Sequence, residues 1–459
     1  MSHEVDQSAS TPQTDFGRVE QLLDRMDETL EDGEVPMQIL NDDAVHQLEL
    51  ERIFGQTWVY VGHESEVPEP GDYRQRTIGE DPFIFVRGED GEFRVLFNSC
   101  RHRGANICRA EKGNTSHFRC PYHGWTYKNT GDLVGVPQKS GGFDHLDAEE
   151  KGLHEAPHVE SYNGLVFACV APEVEPLEEF LGGATWFLDM YFDLIDMEVI
   201  GDPHRWEVEN DWKTPTENFY GDNYHIPMGH KSAIDAGVGS DTATGEKESN
   251  LIGIADCDGH GFSFYQIESD EDSYWGHPPE IVETFNHDAL PDDQHEVARK
   301  SGVTLGTIFP NLSFIFLGGR DDPEKESVGT FLLRKWEPRG AGKMEVVNWV
   351  LAPKDAPEEY KERVYEVGMS NFSPSGNFEV DDVGIWYGID EAAGSVFARQ
   401  NEDVNTLFTM GRGEDPAATV YEDWVGPGTA YLEGGMTDEN QLDFYRTWHE
   451  AMTSEGGSQ

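Results

Sequence analysis

The chain has 459 residues, 37% of them hydrophobic and 11% aromatic, enough to bury a sizeable core in two or three domains. Lys plus Arg number 33 against 89 Asp plus Glu, a formal net charge of −56, so nucleic acid and anionic membrane surfaces are excluded as partners. The 11 Trp, 25 Phe and 16 Tyr assign this acidity to a folded protein. Its self-repulsion fades at molar salt, where the Debye length is about 3 Å, so a salt-loving host is expected.

Residues 1–15 read as a polar, mobile tail, followed by an amphipathic helix from Phe16 to Leu30 with Val19, Leu22, Leu23, Met26 and Leu30 on its apolar face. Residues 16–55 are expected to form a helical segment that packs with the second domain. From 56 to 172, short runs such as TWVYVG, FIFVRG, FRVLFN and GLVFACV alternate with Gly, Pro and acidic clusters, the pattern of an all-β module. A helix-like run from Leu177 to Phe192 and a polar helical stretch from Asp211 to Tyr224 follow. Strand-like runs come next at Thr304–Leu317, Val328–Trp336 and Met344–Val350, then helices beyond Pro357. Residues 173–459 are therefore read as one α+β domain with an antiparallel sheet. The acidic stretches Glu268–Ser273 and Asp288–His295 read as solvated loops. No run of about 18 apolar residues and no export signal is found, and five scattered cysteines suit a reducing cytoplasm.

The β module holds Cys-Arg-His-Arg-Gly at 100–104 and Cys-Pro-Tyr-His-Gly-Trp at 120–125. One residue separates Cys100 from His102, two separate Cys120 from His123, and 17 lie between the pairs. Thiolate with imidazole suits zinc or an iron–sulfur cluster. Zinc fingers pair Cys with Cys and His with His, whereas each loop here supplies one of each, as a two-iron cluster with Cys on one iron and His on the other requires. Cys108, Cys169 and Cys257 read as buried small residues.

In the second domain, Asn218, Asp222 and His225 fall at i, i+4 and i+7, one stripe of a helix. His230 lies about 140° round from His225 on an unbroken helix, but Pro227 and Gly229 between them allow the chain to turn it back. Two histidines and one carboxylate make a facial triad with open positions for dioxygen. Asp222 is one candidate acid. Another lies in the helix-like run Ser375–Ile389, where Phe378, Ile385, Trp386 and Ile389 define an apolar arc with Asp382 inside it, about 40° from Phe378, and Asp381 at its edge.

The two constellations together resemble the α subunits of Rieske non-heme iron aromatic-ring-hydroxylating dioxygenases over about Gln38 to Trp448. That resemblance implies an all-β Rieske domain and a helix-grip catalytic domain, with Cys100, Cys120, His102 and His123 holding a [2Fe–2S] cluster and His225, His230 and Asp382 a mononuclear Fe(II). By the same likeness Asp222 bridges His225 to His123 of a neighbouring subunit, and Asn218 lies near the iron. Asn223, Ile226, Phe316, Phe372 and Phe378 fall at substrate-pocket positions. It further implies a homotrimer, with or without a small β subunit, fed from NAD(P)H through a reductase and ferredoxin. Dioxygen would be used to convert a small aromatic ring to a cis-dihydrodiol; monooxygenation or oxidative demethylation is the alternative. Asp211, inserted in the family motif, is expected to be harmless. From the net charge alone, an acidic electron donor would be repelled at low salt, so transfer is expected to improve as salt rises.

Overall fold

The computed structural model describes residues 16–238, 249–322 and 324–454, so the tail expected at 1–15 lies outside the described residues. Helix α1 (Phe16–Glu31) buries Val19, Leu22, Leu23, Met26 and Leu30. Helix α2 (Asp43–Glu49) starts on Asp42, whose carboxylate accepts from the backbone N–H of Ala44 and Val45. Between 59 and 169 come short strands in three small antiparallel sheets, with short helical turns at Glu64–Glu66, Lys139–Gly142 and Glu149–Lys151. Strand Leu165–Cys169 pairs with Val59–His63 and so closes this module.

The second domain is built on a nine-stranded antiparallel sheet. Its strands are β1 (Met197–Val208), β2 (Ser249–Cys257), β3 (His260–Ile267), β4 (Ser301–Ile308), β5 (Leu312–Gly319), β6 (Val328–Pro338), β7 (Met344–Pro353), β8 (Thr419–Val420) and β9 (Thr429–Leu432). They lie in the order β1-β7-β6-β5-β4-β3-β2-β9-β8. Both faces are covered. On one, Phe314, Phe316, Phe331 and Leu333 pack with Tyr191 and Trp275. On the other, Ile315, Leu317, Leu332 and Trp336 meet Phe219, Phe372, Phe378 and Trp386 from helices α3 (Lys213–Phe219), α4 (Glu358–Phe372) and α5 (Glu379–Ala393). The fold is thus mixed α+β, a β-rich first domain followed by a large antiparallel sheet with helices. No helix among the described residues is long and apolar enough to cross a membrane.

Several local expectations are corrected. Asn218, Asp222 and His225 do not share a helix, because α3 ends at Phe219. Gly221 follows at φ +142°, and a Cβ there would come within 2.8 Å of Asn440 Nδ2, so the turn requires glycine. The stretch Asp288–His295 is not only loop, since a helix begins at Asp292. The arc expected on Ser375–Ile389 is also different. Helix α5 buries Glu379, Asp382, Trp386, Asp390 and Ala393, while Ile385 is 48% exposed. Its inner stripe is rich in carboxylates because each meets a partner, Glu379 on Arg334 and Asp390 on Asn41.

Asp211 is no neutral insertion. Its carboxylate lies 2.7 Å from Lys213 Nζ, which also donates to Glu49 of α2 at 2.5 Å. Trp212 Nε1, from the N-cap of α3, and Trp448 Nε1, from α6 (Glu439–Thr453), donate to the same Glu49 carboxylate. The cluster ties the N-terminal segment to the start of α3 and to the last helix. His449 reinforces this by binding the Leu23 carbonyl of α1 at 2.9 Å.

Candidate cluster and metal centres

In the first domain, two loops of similar form present the four candidate ligands. Gly104 N–H donates to the Cys100 carbonyl and Gly124 N–H to that of Cys120, and both glycines take positive φ, +75° and +72°. These turns bring His102 Nδ1 to 3.1 Å from His123 Nδ1, with the Cys100 and Cys120 thiols facing each other. Two thiols and two imidazole nitrogens converge with no carboxylate among them, a donor set that fits a [2Fe–2S] cluster held by two Cys and two His.

The surroundings of the two histidines differ. His102 stacks on buried Trp125 with ring centroids 5.0 Å apart and meets Phe143 at 5.8 Å. His123 lies against Tyr122, which is 60% exposed.

Tyr127 is a neighbour of the candidate cluster site that spacing did not reveal. Its hydroxyl lies 3.3 Å from Cys100 Sγ and accepts from the Arg101 N–H at 3.1 Å. A hydroxyl donating to a cluster sulfur stabilises the extra negative charge of the reduced state. Tyr127→Phe is expected to lower the reduction potential on the order of 50 mV, the equivalent of about 1 kcal/mol for one electron. A redox titration followed by EPR measures it.

In the second domain, His225 closes the turn after α3, a kinked segment with short helix Ile226–Gly229 follows, and His230 lies at its end. Asp382 projects from the first turn of α5. His225 Nε2 lies 3.3 Å from His230 Nε2, and Asp382 Oδ1 lies 3.7 Å from the first and 3.3 Å from the second. Asp382 and His230 are buried. The far nitrogens meet other acids: His225 Nδ1 lies 3.1 Å from Asp222, and His230 Nδ1 lies 3.5 Å from Asp381. Asp222 thus stands against Nδ1 of His225, whereas His230 Nδ1 faces Asp381 without a hydrogen bond, and both rings turn Nε2 to the centre, as metal-ligating histidines do. Burial raises the Asp382 pKa to about 7 in spite of the nearby His225, and burial with the charge of His225 lowers that of His230 to about 4. Two imidazoles and a desolvated carboxyl are a donor set that fits a mononuclear Fe(II).

The two acids left open by helix geometry therefore have different positions, Asp382 at the centre and Asp222 behind His225. Asn218 Nδ2 lies 3.3 Å from His225 Nδ1 and 3.5 Å from Asp222. Of the expected pocket residues, Phe378 meets His230 edge-on at 5.0 Å and Phe372 stacks on Phe378. Ile226 follows His225 and is half-buried. Asn223 is buried and donates to Ser263 Oγ at 3.0 Å. Phe316 is a correction. It stacks on Trp275 in the opposite core, because alternation along β5 turns Ile315 and Leu317, not Phe316, to the face that packs with Phe372 and Phe378.

Arg334 of β6 anchors the start of α5. Its Nη2 donates to Glu379 Oε2 at 2.6 Å, both side chains are fully buried, and the guanidinium lies over Trp336, Phe219 and Phe372. Glu379 stands one turn before Asp382. Arg334→Met leaves that carboxylate buried without a partner and is expected to cost about 3–5 kcal/mol, and Arg334→Met with Glu379→Gln recovers most of it. Unfolding midpoints of the three proteins test this.

Comparison with known proteins gives two family matches, the Rieske [2Fe–2S] domain over residues 57–162 and the ring-hydroxylating α subunit catalytic domain over 197–452. The chain is 35% identical to the α subunit of an N,N-dimethyl phenylurea N-demethylase from Sphingobium sp., over 96% of each. It is 33% identical to the chlorobenzene dioxygenase α subunit of Cupriavidus sp., over 92% of each. It also superposes on a crystal structure of naphthalene 1,2-dioxygenase from Rhodococcus sp. bound to indole with a TM-score of 0.89 and 38% identity, covering 96% of this chain and 99% of that one.

Proposed function

The chain belongs to the Rieske ring-hydroxylating oxygenase α subunits, and from that premise we propose that it is the terminal oxygenase that converts a small aromatic ring to a cis-dihydrodiol. The observation that carries this reading is the buried meeting of His225, His230 and Asp382 on a chain that also presents the paired Cys and His loops. His225, His230 and Asp382 would hold the mononuclear Fe(II), and Cys100, Cys120, His102 and His123 the [2Fe–2S] cluster. When bound, these groups supply one-electron storage and an iron with open positions for dioxygen.

The protein's own residues do the rest. Asp222 engages the Nδ1 side of His225, and the negative charge of Asp381 lies 3.5 Å from Nδ1 of His230, which favours rings with both Nε2 atoms aimed at one point. Phe378 and Phe372 give the substrate an apolar wall against His230, while Asn223 and Ile226 flank His225 from the turn. Asp222 is half exposed, so its outer edge is free to accept from the His123 ring of a second copy. A homotrimer, with or without a β subunit, that receives electrons from a ferredoxin or reductase follows from such pairing.

Oxidative N-demethylation is the second reading, favoured by the 35% identity to an N-demethylase subunit. Naphthalene and an N,N-dimethyl phenylurea, each supplied with 18O2 and an electron donor, separate the two. A diol with both oxygens labelled supports dihydroxylation; release of formaldehyde, with no diol from naphthalene, favours demethylation. No product from either, with both iron centres loaded, would count against an aromatic substrate.

The net charge of −56 supports a salt-rich host. The thermal midpoint is expected to climb as salt rises toward about 1 M, where screening extends only about 3 Å. A midpoint that is flat from about 0.05 to about 1 M would refute this adaptation.

A further inference from the structure

Among the described residues, three pairs of histidines bring ring nitrogens within hydrogen-bond reach of each other. Two belong to the centres already built, His102 with His123 and His225 with His230. The third, His287 with His295, has no place in either. It lies on the chain between β3 and β4, in a stretch that packs on the sheet face where Phe285 and Leu290 join Trp275 and Phe316. Phe378, which meets His230, belongs to the core on the other face.

Separate elements supply the groups that meet here. Tyr274 opens a short turn, Tyr274–Gly276, His287 stands in a loop further on, and His295 lies in helix Asp292–Lys300. His287 Nδ1 is 3.2 Å from His295 Nε2, and the Tyr274 hydroxyl is 3.1 Å from the same His295 nitrogen. The His287 Nε2–H donates to the Val282 carbonyl at 2.9 Å, which in a neutral ring leaves Nδ1 a bare lone pair. A lone pair rests this close to a second nitrogen only with something positive between them, a ring proton or a metal ion.

The surroundings favour the ion. Two imidazole nitrogens on a tetrahedral zinc stand about 3.3 Å apart. His287 and His295 hold nearly that separation, as His225 and His230 do at 3.3 Å. The carbonyl behind His287 fixes tautomer and ring plane, as the partners behind ligating histidines do. Burial, with the nearby charges of His287 and Arg299, lowers the pKa of His295, so its ring stays neutral, as ligation requires. Arg299 is itself engaged by Glu296 at 2.6 Å and by Asp272. Tyr274 and Trp275 take positive φ, +37° and +54°, which is costly for side chains so bulky. That turn buries Trp275 against Phe316 and keeps the Tyr274 hydroxyl on His295. His287 is exposed and His295 half-buried, so an ion can enter and keep water as a further ligand.

We infer that Tyr274, His287 and His295 form a further metal site, for a divalent transition-metal ion of the zinc class bound through His287 Nδ1 and His295 Nε2, with the Tyr274 oxygen and water completing it. Imidazole donors suit zinc and its neighbours in the series and do not suit magnesium or calcium. The ion clips the turn at Tyr274 to helix Asp292–Lys300 and so fixes the covering of the second core.

The test uses the holoprotein with both iron centres loaded, freed of loose metal by gel filtration and dialysed against micromolar zinc chloride. Metal analysis is expected to find about one zinc per chain with the iron content unchanged, and the thermal midpoint should rise with zinc. His287→Gln and His295→Gln should each weaken zinc binding about a hundredfold and cancel that rise. Burial raises the Tyr274 pKa, so Tyr274→Phe removes only a neutral oxygen and should weaken binding about tenfold. His117→Gln, at an exposed histidine of the first domain, should change nothing. Because His287 is exposed, its variant leaves no buried gap, and retained cluster absorbance checks that it folds. Zinc taken up only as iron is lost would put it on His225 and His230 and overturn the inference. So would zinc binding that survives in both histidine variants, or none in the wild type, which would leave the pair bridged by a ring proton alone.

Discussion

Asp382→Ala is expected to yield a protein that keeps its cluster absorbance, loses the mononuclear iron and forms no product. The carboxylate is the only anionic member of the three donors, within 3.7 Å of both histidine nitrogens, and no lysine or arginine among the described residues bonds to it. Its burial is costly unless a cation neutralises it. Removing it leaves two neutral imidazoles, and a loss of about 4 kcal/mol in metal binding is about a thousandfold. Iron analysis with the visible spectrum tests this: full iron content in the variant would place the metal elsewhere. The cluster loops lie in the other domain, so a loss of both centres would indicate misfolding, and Asp382→Asn, which preserves shape, would then decide.

Asp222→Asn is expected to retain both centres and yet fall about 10- to 100-fold or more in turnover. The Asp222 carboxylate lies 3.1 Å from His225 Nδ1 and holds a proton there, which leaves Nε2 free as a donor atom. Asparagine offers an N–H at the same distance and favours the other tautomer. It would also weaken any contact to the His123 of a second copy. A single-turnover experiment separates the two effects: iron retained with slow oxidation of the cluster points to the bridge, whereas iron lost points to orientation alone. Unchanged turnover would remove Asp222 from both roles.

The order of elements and the paired ligands were legible because their signals are local. Cys100 with His102 and Cys120 with His123 are each presented by one turn, and the apolar spacing of α1 matches its buried face residue for residue. His225 and His230 were legible as a pair because Pro227 and Gly229 advertise a break in the helix between them. What spacing could not reveal depends on the third dimension. Phe316 was misplaced because its sheet is buried on both faces, so apolar residues alternate with apolar residues and parity leaves no mark in the sequence. The end of α3 at Phe219 depends on Gly221 meeting Asn440, more than 200 positions away. Tyr127, Asp381 and Arg334 act through partners far along the chain or across an element, where no motif announces them.

The strand order has a consequence for how the enzyme is assembled during synthesis. The chain leaves β1 at one edge of the sheet and re-enters at β2 near the other, and both iron-site histidines lie on the strap between. That strap has nothing to lie across until β3 to β7 have filled the gap, and its third ligand arrives only with α5. The cluster loops, by contrast, belong to a module closed by residue 169. All four candidate cluster ligands are therefore synthesised, in a module already able to close, before the chain that supplies Asp382 to the candidate iron site. Contacts this distant in sequence form slowly. A shortage of iron or a stalled second domain would accumulate chains that are coloured by their cluster but unable to turn over.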